Sequence, residues 1–216
     1  PRIIPACSTP SAPGSRLEGS LYSCYGIGMN TLEALTTRRS PLALGPDAPP
    51  REVVRQALET ALCAPDHGRL RPWRFLLLEG QQREQLGEAM AEALAARDPE
   101  APESLLEKER AKPLRAPLII TVVARLQPDH PKIPADEQRQ AVASAAFSIM
   151  LAMHAQGWGC QWKTGAAARD TRVHQALGLE PDDEIIAYLY AGAVAGAPPR
   201  PRREMPLEDF LLSLPA

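Results

Sequence analysis

The chain has 216 residues and a mass of 23.4 kDa, enough for one domain with a full core, or one domain with an appendage. Its 24 basic and 26 acidic side chains are interspersed and leave a formal charge of −2, which gives no ground for nucleic acid or an anionic membrane as partner. No apolar stretch reaches the length of a bilayer span, and Cys7, Cys24, Cys63 and Cys160 form neither a CxxC pair nor a metal-ligand spacing. A soluble cytoplasmic protein with free thiols and no metal site is therefore expected, a Cys7–Cys24 bridge being conceivable only in an oxidising setting.

Residues 1–28 are rich in Pro, Ser and Gly, carry no periodicity and lack the apolar core of a signal peptide, so they read as a disordered leader outside the fold. Met29 reads as the true initiator, which would make that leader an artefact of expression or of gene prediction. Asn30 is placed to cap a helix with Glu33 at the capping-box position, and Leu32 with Leu35 is expected to form its buried side up to Arg39. A second helix starts near Pro50, repeats apolar residues at Val54, Leu58, Ala61 and Leu62, and stops at Pro65.

Phe75 to Leu78 reads as a short buried strand, Gln81 to Arg97 as an amphipathic helix, and Glu103 to about Lys112 as a charged helical stretch. The β-branched run Leu118 to Ala124 fits a central strand covered on both faces. Pro134 to Gln156 is the longest helical pattern and is almost uncharged from Ala141. Its charged first turns with His154 and Gln156 mark it as a core helix, and its small residues suit a dimer interface. Gly157 and Gly159 end it. Cys160 to Gly165 follows as a strand or strand edge, Asp170 caps a helix that Gly178 terminates, and Glu184 to Ala193 is the last clear strand.

A Pro/Arg tail runs from Gly196 to Arg203, and Pro206 to Leu214 forms a small amphipathic end. Helices on both sides of the strands imply an α/β (α+β) three-layer sandwich, and the very apolar helix calls for a second copy to cover it.

The chain has no GxSxG, P-loop, HExxH or strand-borne GxGxxG, so a nucleotide cofactor would have to be held by basic side chains and main-chain amides. Arg38-Arg39-Ser40 offers two guanidinium forks beside a hydroxyl, which suits an anionic, flat ligand. Taken singly, the same residues have plainer readings. The Arg pair could oppose a helix dipole, His67 could be a turn residue, Trp162 a core aromatic, His154 a satisfied buried histidine, and Gly157 a helix cap.

Five short motifs occur in order: Arg38-Arg39-Ser40, Ala64-Pro65-Asp66-His67 with Pro72-Trp73-Arg74-Phe75, Arg115 to Ala124, Trp162-Lys163-Thr164-Gly165, and Leu189-Tyr190-Ala191-Gly192. In this order the chain resembles the FMN-dependent nitroreductase family from Met29 to about Arg203, most closely its small NAD(P)H nitroreductases. The resemblance implies a mixed central sheet and an intertwined homodimer with FMN sites at the interface. It places Arg38, Arg39, Ser40 and Arg202 on the flavin phosphate, ribityl and pyrimidine side. Asp66 and His67 would reach the flavin from the other subunit, Trp162, Lys163 and Thr164 would meet it from a strand end, and Gln156 with Gly157 would touch NAD(P)H.

Lys163-Thr164 stands where the nearest relatives carry Arg-Ser, which keeps a cation but loses a bidentate fork. Arg69 and Arg71 replace the Asn and Gln of many members, a change that biases the pocket toward anionic substrates. The implied activity is a ping-pong transfer of hydride from NAD(P)H to the flavin and onward to a nitroaromatic, quinone or similar acceptor. Other uses of the fold, such as dehalogenation, ene reduction, flavin breakdown or non-catalytic flavin binding, stay open. So does a coenzyme-free interaction module.

Overall fold

Asn30 starts the ordered chain by accepting the Glu33 amide on its side-chain oxygen at 3.0 Å, as the capping position predicts. The computed structural model describes residues 29–197 and 202–213, so the expectations for the leader, for Cys7 and Cys24, and for positions 198–201 fall outside the described residues. The order along the chain is α1 (Thr31–Thr37), β1 (Ala43–Leu44), α2 (Arg51–Ala61), β2 (Trp73–Leu78), α3 (Gln81–Arg97) and α4 (Glu103–Ala111). It continues with β3 (Leu118–Arg125), α5 (Ala135–Ala155), β4 (Gly159–Lys163), α6 (Thr171–Ala176), β5 (Asp183–Gly192) and β6 (Val194–Ala195). No helix among these is long and apolar enough to cross a membrane.

The β-branched run lies at the centre of a sheet ordered β2-β3-β5-β4 and is buried along all but its last residue. Because strand side chains alternate, Leu118, Ile120, Val122 and Ala124 pack toward α2 and α5, while Ile119 and Val123 join Leu86, Met90 and Val173 on the opposite face. Those two clusters are the two interfaces of a three-layer sandwich. At the end of the sheet, Arg125 clamps the buried carboxylate of Asp183 through Nε and Nη2 at 2.9 and 2.8 Å, tying β3 to β5.

Within this one chain, the described pairings of the sheet are all antiparallel. β3 and β4 do run the same way, as a single intervening helix requires, but β5 inserts between them and separates the parallel pair. In α1 the buried residue is Ala34, whereas Leu32 is 74% exposed and Leu35 also faces outward. The helix meets α5 along its Ala34 and Thr37 side, so its leucine side points away from this chain. Phe147 on α5 and Leu62 after α2 are exposed in the same way.

Gly87 allows α3 and α4 to approach closely, since a Cβ there would sit within van der Waals contact of the Arg110 backbone carbonyl. Gly87→Ala should therefore destabilise the protein by roughly 1–3 kcal/mol, although alanine is the better helix former, because the backbone clash outweighs a propensity gain of about 1 kcal/mol. Urea unfolding of the variant checks this, and equal or greater stability would show that the two helices can separate without cost.

Candidate functional site

The helix α1 ends where the Arg38 amide donates to the Ala34 carbonyl at 3.0 Å and ψ turns to 129°. Arg39 Nη1 then donates to the carbonyls of Thr36 and Arg38, both at 3.0 Å, so this guanidinium caps the helix as the dipole reading predicts. Arg202, from the tail, donates from Nη2 to the Arg38 carbonyl at 3.2 Å. Three guanidinium-bearing residues therefore meet at the end of α1. Ser40 is exposed beside them.

His154, in the last turn of α5, packs against the same spot with Nε2 2.9 Å from the Thr37 hydroxyl. That hydroxyl also lies 2.6 Å from the Glu33 carbonyl, which can only accept, so we assign the hydrogen of the His154 contact to Nε2. Burial, reinforced by the charges of Arg38 and Arg39, lowers the His154 pKa and keeps the ring neutral at neutral pH. Arg38 itself is half-buried, and its Nη1 is sealed from solvent without a hydrogen-bond partner among the described residues. A charged donor in that state is costly unless an acceptor comes from outside the chain.

From this cluster, residues 40–44 run along β4. Gln161 Nε2 donates to the Pro41 carbonyl at 2.7 Å, and Gly159 has no side chain that would collide with Pro41 and Leu44. The segment leads to a cavity of about 570 Å³ walled by Leu42 to Leu44, by Lys163 to Ala168 and by α3 and the end of α4. Its floor is Tyr188 and Tyr190. Four cations line it. Arg97 lies 3.4 Å from Asp170 and Lys112 is paired with Glu109, but Arg115 and Lys163 have no ion pair among the described residues. The volume suits a small molecule or a cofactor ring.

Lys163 and Thr164 thus lie where a strand-end contact was expected. Trp162 does not face this cavity: it alternates with Gln161 and Lys163 and packs toward the α2/α5 core, the plainer of its two readings. Gln156 uses its side-chain amide to cap α5, donating to the Ala152 carbonyl at 3.1 Å, and Gly157 takes a left-handed φ of 82°. Both sit at the α5 end that carries the Arg cluster.

Asp66 and His67 lie elsewhere. The Asp66 carboxylate accepts the Arg71 amide at 2.7 Å, and His67 Nδ1 is 2.6 Å from Glu137 at the start of α5. Between Glu137 and His154 the helix rises about 26 Å at 1.5 Å per residue, so one chain does not bring this loop to the Arg cluster. Gly68, Arg69 and Arg71 all adopt left-handed φ in the same loop, at 70°, 57° and 50°. Sequence reasoning missed Lys112, Arg115, Gln161, Tyr188 and Tyr190. The two tyrosines share a sheet face with Gln161 and Lys163, which is legible only once the β4–β5 register is known. Among the described residues no three or more metal-ligating side chains gather.

The Nitroreductase family model matches residues 35–193. The chain belongs to the nitroreductase family. It is 36% identical over 164 residues to the "Putative NAD(P)H nitroreductase YdjA" of Escherichia coli (strain K12), covering 76% of this chain and 88% of that protein. A nitroreductase-like family protein from Bacillus cereus superposes with a TM-score of 0.73 at 22% identity, over 88% of this chain and 99% of that one. A Desulfovibrio desulfuricans protein described as "a putative nitroreductase in complex with fmn" superposes with a TM-score of 0.62 at 26% identity, over 85% and 96%.

His154 reports on the charge at the end of α1. Its folded pKa lies below the unfolded value near 6.5. Native stability is therefore fully present above that value and declines as pH falls through the window down to the folded pKa. In an NMR titration of the ring, Arg38→Gln should move the His154 pKa part of the way back up, because burial, the larger cause, remains. An unchanged value would show that Arg38 does not act on this ring.

Proposed function

We propose that the chain is an FMN-dependent oxidoreductase that takes hydride from NAD(P)H and passes electrons to a nitroaromatic, quinone or similar acceptor in a ping-pong cycle. The observation that carries this reading is the sealed Nη1 of Arg38, which has no hydrogen-bond partner among the described residues, within the Arg38, Arg39 and Arg202 group. A phosphate dianion provides the acceptors that guanidinium forks require, and an adjoining cavity with cationic walls suits a flat, polar ring. The residues present therefore fit FMN. A family relative named for NAD(P)H and a 26% identical FMN-bound structure support the same choice.

When bound, FMN would supply the hydride and electron chemistry, with no side chain needed as nucleophile. The protein's part is placement and charge. Arg38 and Arg202 would hold the phosphate, with Ser40 beside them. Residues 41–44, pinned by Gln161, would carry the ligand from the phosphate site to the cavity. Lys163 and Arg115, lacking ion pairs among the described residues, would lower the cost of negative charge on the ring edge, with Thr164 in the wall beside them. Donor and acceptor taking turns at the exposed face of the bound ring would give alternating, ping-pong kinetics.

The site on this reading is completed by a second copy. Leu32, Leu35, Leu62 and Phe147 leave apolar surface uncovered, as do Met205, Leu207, Phe210, Leu211 and Leu212 in the tail. A homodimer would cover that surface and bring the Asp66–His67 loop of one subunit to the Arg cluster of the other. Arg69 and Arg71 would travel with that loop and favour anionic acceptors.

Fluorescence titration with FMN and with riboflavin tests the phosphate assignment. Arg38→Gln or Arg202→Gln should weaken FMN roughly 10–100-fold, the loss expected for one charge-assisted contact of about 1.5–3 kcal/mol, while changing riboflavin little. Equal losses for both ligands would remove the phosphate from this cluster. In sedimentation, the full chain should be dimeric and a chain ending at Arg203 should dissociate at higher concentration. An unchanged dimer would show that the apolar tail has no part in the interface.

A further inference from the structure

Thr121 and Tyr188 are directly opposed in the β3–β5 pairing, so their side chains project from the same face of the sheet. Both are buried, Thr121 completely and Tyr188 with 2% of its surface exposed, and neither hydroxyl has a hydrogen-bond partner among the described residues. Two orphaned hydroxyls on one face of the sheet, in an otherwise apolar layer of Leu86, Met90 and Ile119, are a standing cost to the fold. The two differ in one respect. Tyr188 lines the 570 Å³ cavity, and Thr121 does not.

We propose that Tyr188 is a ligand-positioning residue, its hydroxyl donating a hydrogen bond to an acceptor atom on the polar edge of the ring that occupies the cavity. The inference rests on the FMN reading, under which that edge belongs to the flavin pyrimidine. A phenol suits the task because burial pushes its pKa well above the ordinary value, which keeps it protonated and able to donate at any working pH. Tyr190, the second tyrosine of the floor, lies close enough to Arg115 and Glu109 for both charges to act on its phenol. Arg115 and Lys163 supply charge at the wall, and Tyr188 adds a directional contact from below. Its cost in the unliganded protein is recovered only when the cavity is filled. Thr121 offers no such return and is the internal control.

The test uses two substitutions that each remove one hydroxyl and conserve shape, Tyr188→Phe and Thr121→Val, with thermal unfolding of the FMN-free protein and FMN titration as readouts. Tyr188→Phe should raise the melting temperature of the FMN-free protein, weaken FMN about five- to tenfold, and alter the shape of the bound flavin's visible absorption band. Thr121→Val should also raise the melting temperature but leave FMN affinity within about twofold and the band unchanged, because its hydroxyl faces no ligand. FMN bound as tightly by Tyr188→Phe as by the wild type would overturn the assignment while leaving the FMN reading intact. Equal weakening in both variants would assign the effect to packing and overturn it as well. A wild-type protein that binds no FMN would overturn the functional reading and the Tyr188 assignment together.

Discussion

One long helix sets the geometry on which the rest of the molecule depends. Helix α5 seals Val142, Ala145, Ile149 and Met153 against the sheet and leaves Phe147 uncovered on its other side. Because the buried side is packed on β3, β4 and β5, the helix can neither slide nor tilt without opening the core. Its two ends are therefore fixed points. The Asp66–His67 loop is held at the first through Glu137, and the Arg38–Arg202 cluster is held at the second through His154 and Thr37. A rigid separation of about 26 Å is what makes a site shared between two copies the natural proposal.

Electrostatics sharpen the second of those points. Several cations are neutralised where they stand, as in the Arg110 group with Glu88, Glu103 and Glu107, or Arg139 with Glu184 and Asp136. Part of the Arg38 guanidinium is closed off from solvent without an acceptor among the described residues, and its charge bears on His154 and Cys160. The neutral His154 limits the local repulsion, and burial pushes the Cys160 thiol up to about 12, so the sulfur adds no compensating charge. An unbalanced cationic patch beside a cationic cavity wall has the charge that suits an anion.

Much of the fold was legible because strong local signals agreed with tertiary packing. The Gln81–Arg97 helix has the bounds its pattern predicts, and the Asn30 cap, the Gly157 and Gly178 terminators and the central β3 run all appear where the residues place them. Errors arose where the deciding contact is made outside the local window. Leu32 and Leu35 have the spacing of a buried stripe, but the surface they would pack on does not belong to this chain's own core. Trp162 sits in the right motif and points the other way, because alternation along β4 gives the cavity to Lys163 and Gln161. Tyr188 and Arg115, more than 70 positions apart, line one cavity because β5 pairs with β3 and Arg115 lies in the turn that enters β3. No spacing rule could have paired them.

Anaerobic addition of NADPH or NADH to the protein after incubation with FMN is the most direct test of the central claim. The expected result is a yellow dimer holding one FMN per chain, whose visible flavin band bleaches on adding NAD(P)H and returns when a quinone or nitroaromatic is supplied. A protein that stays colourless after incubation with FMN, or whose bound flavin keeps its colour under excess NADH and NADPH, would contradict it.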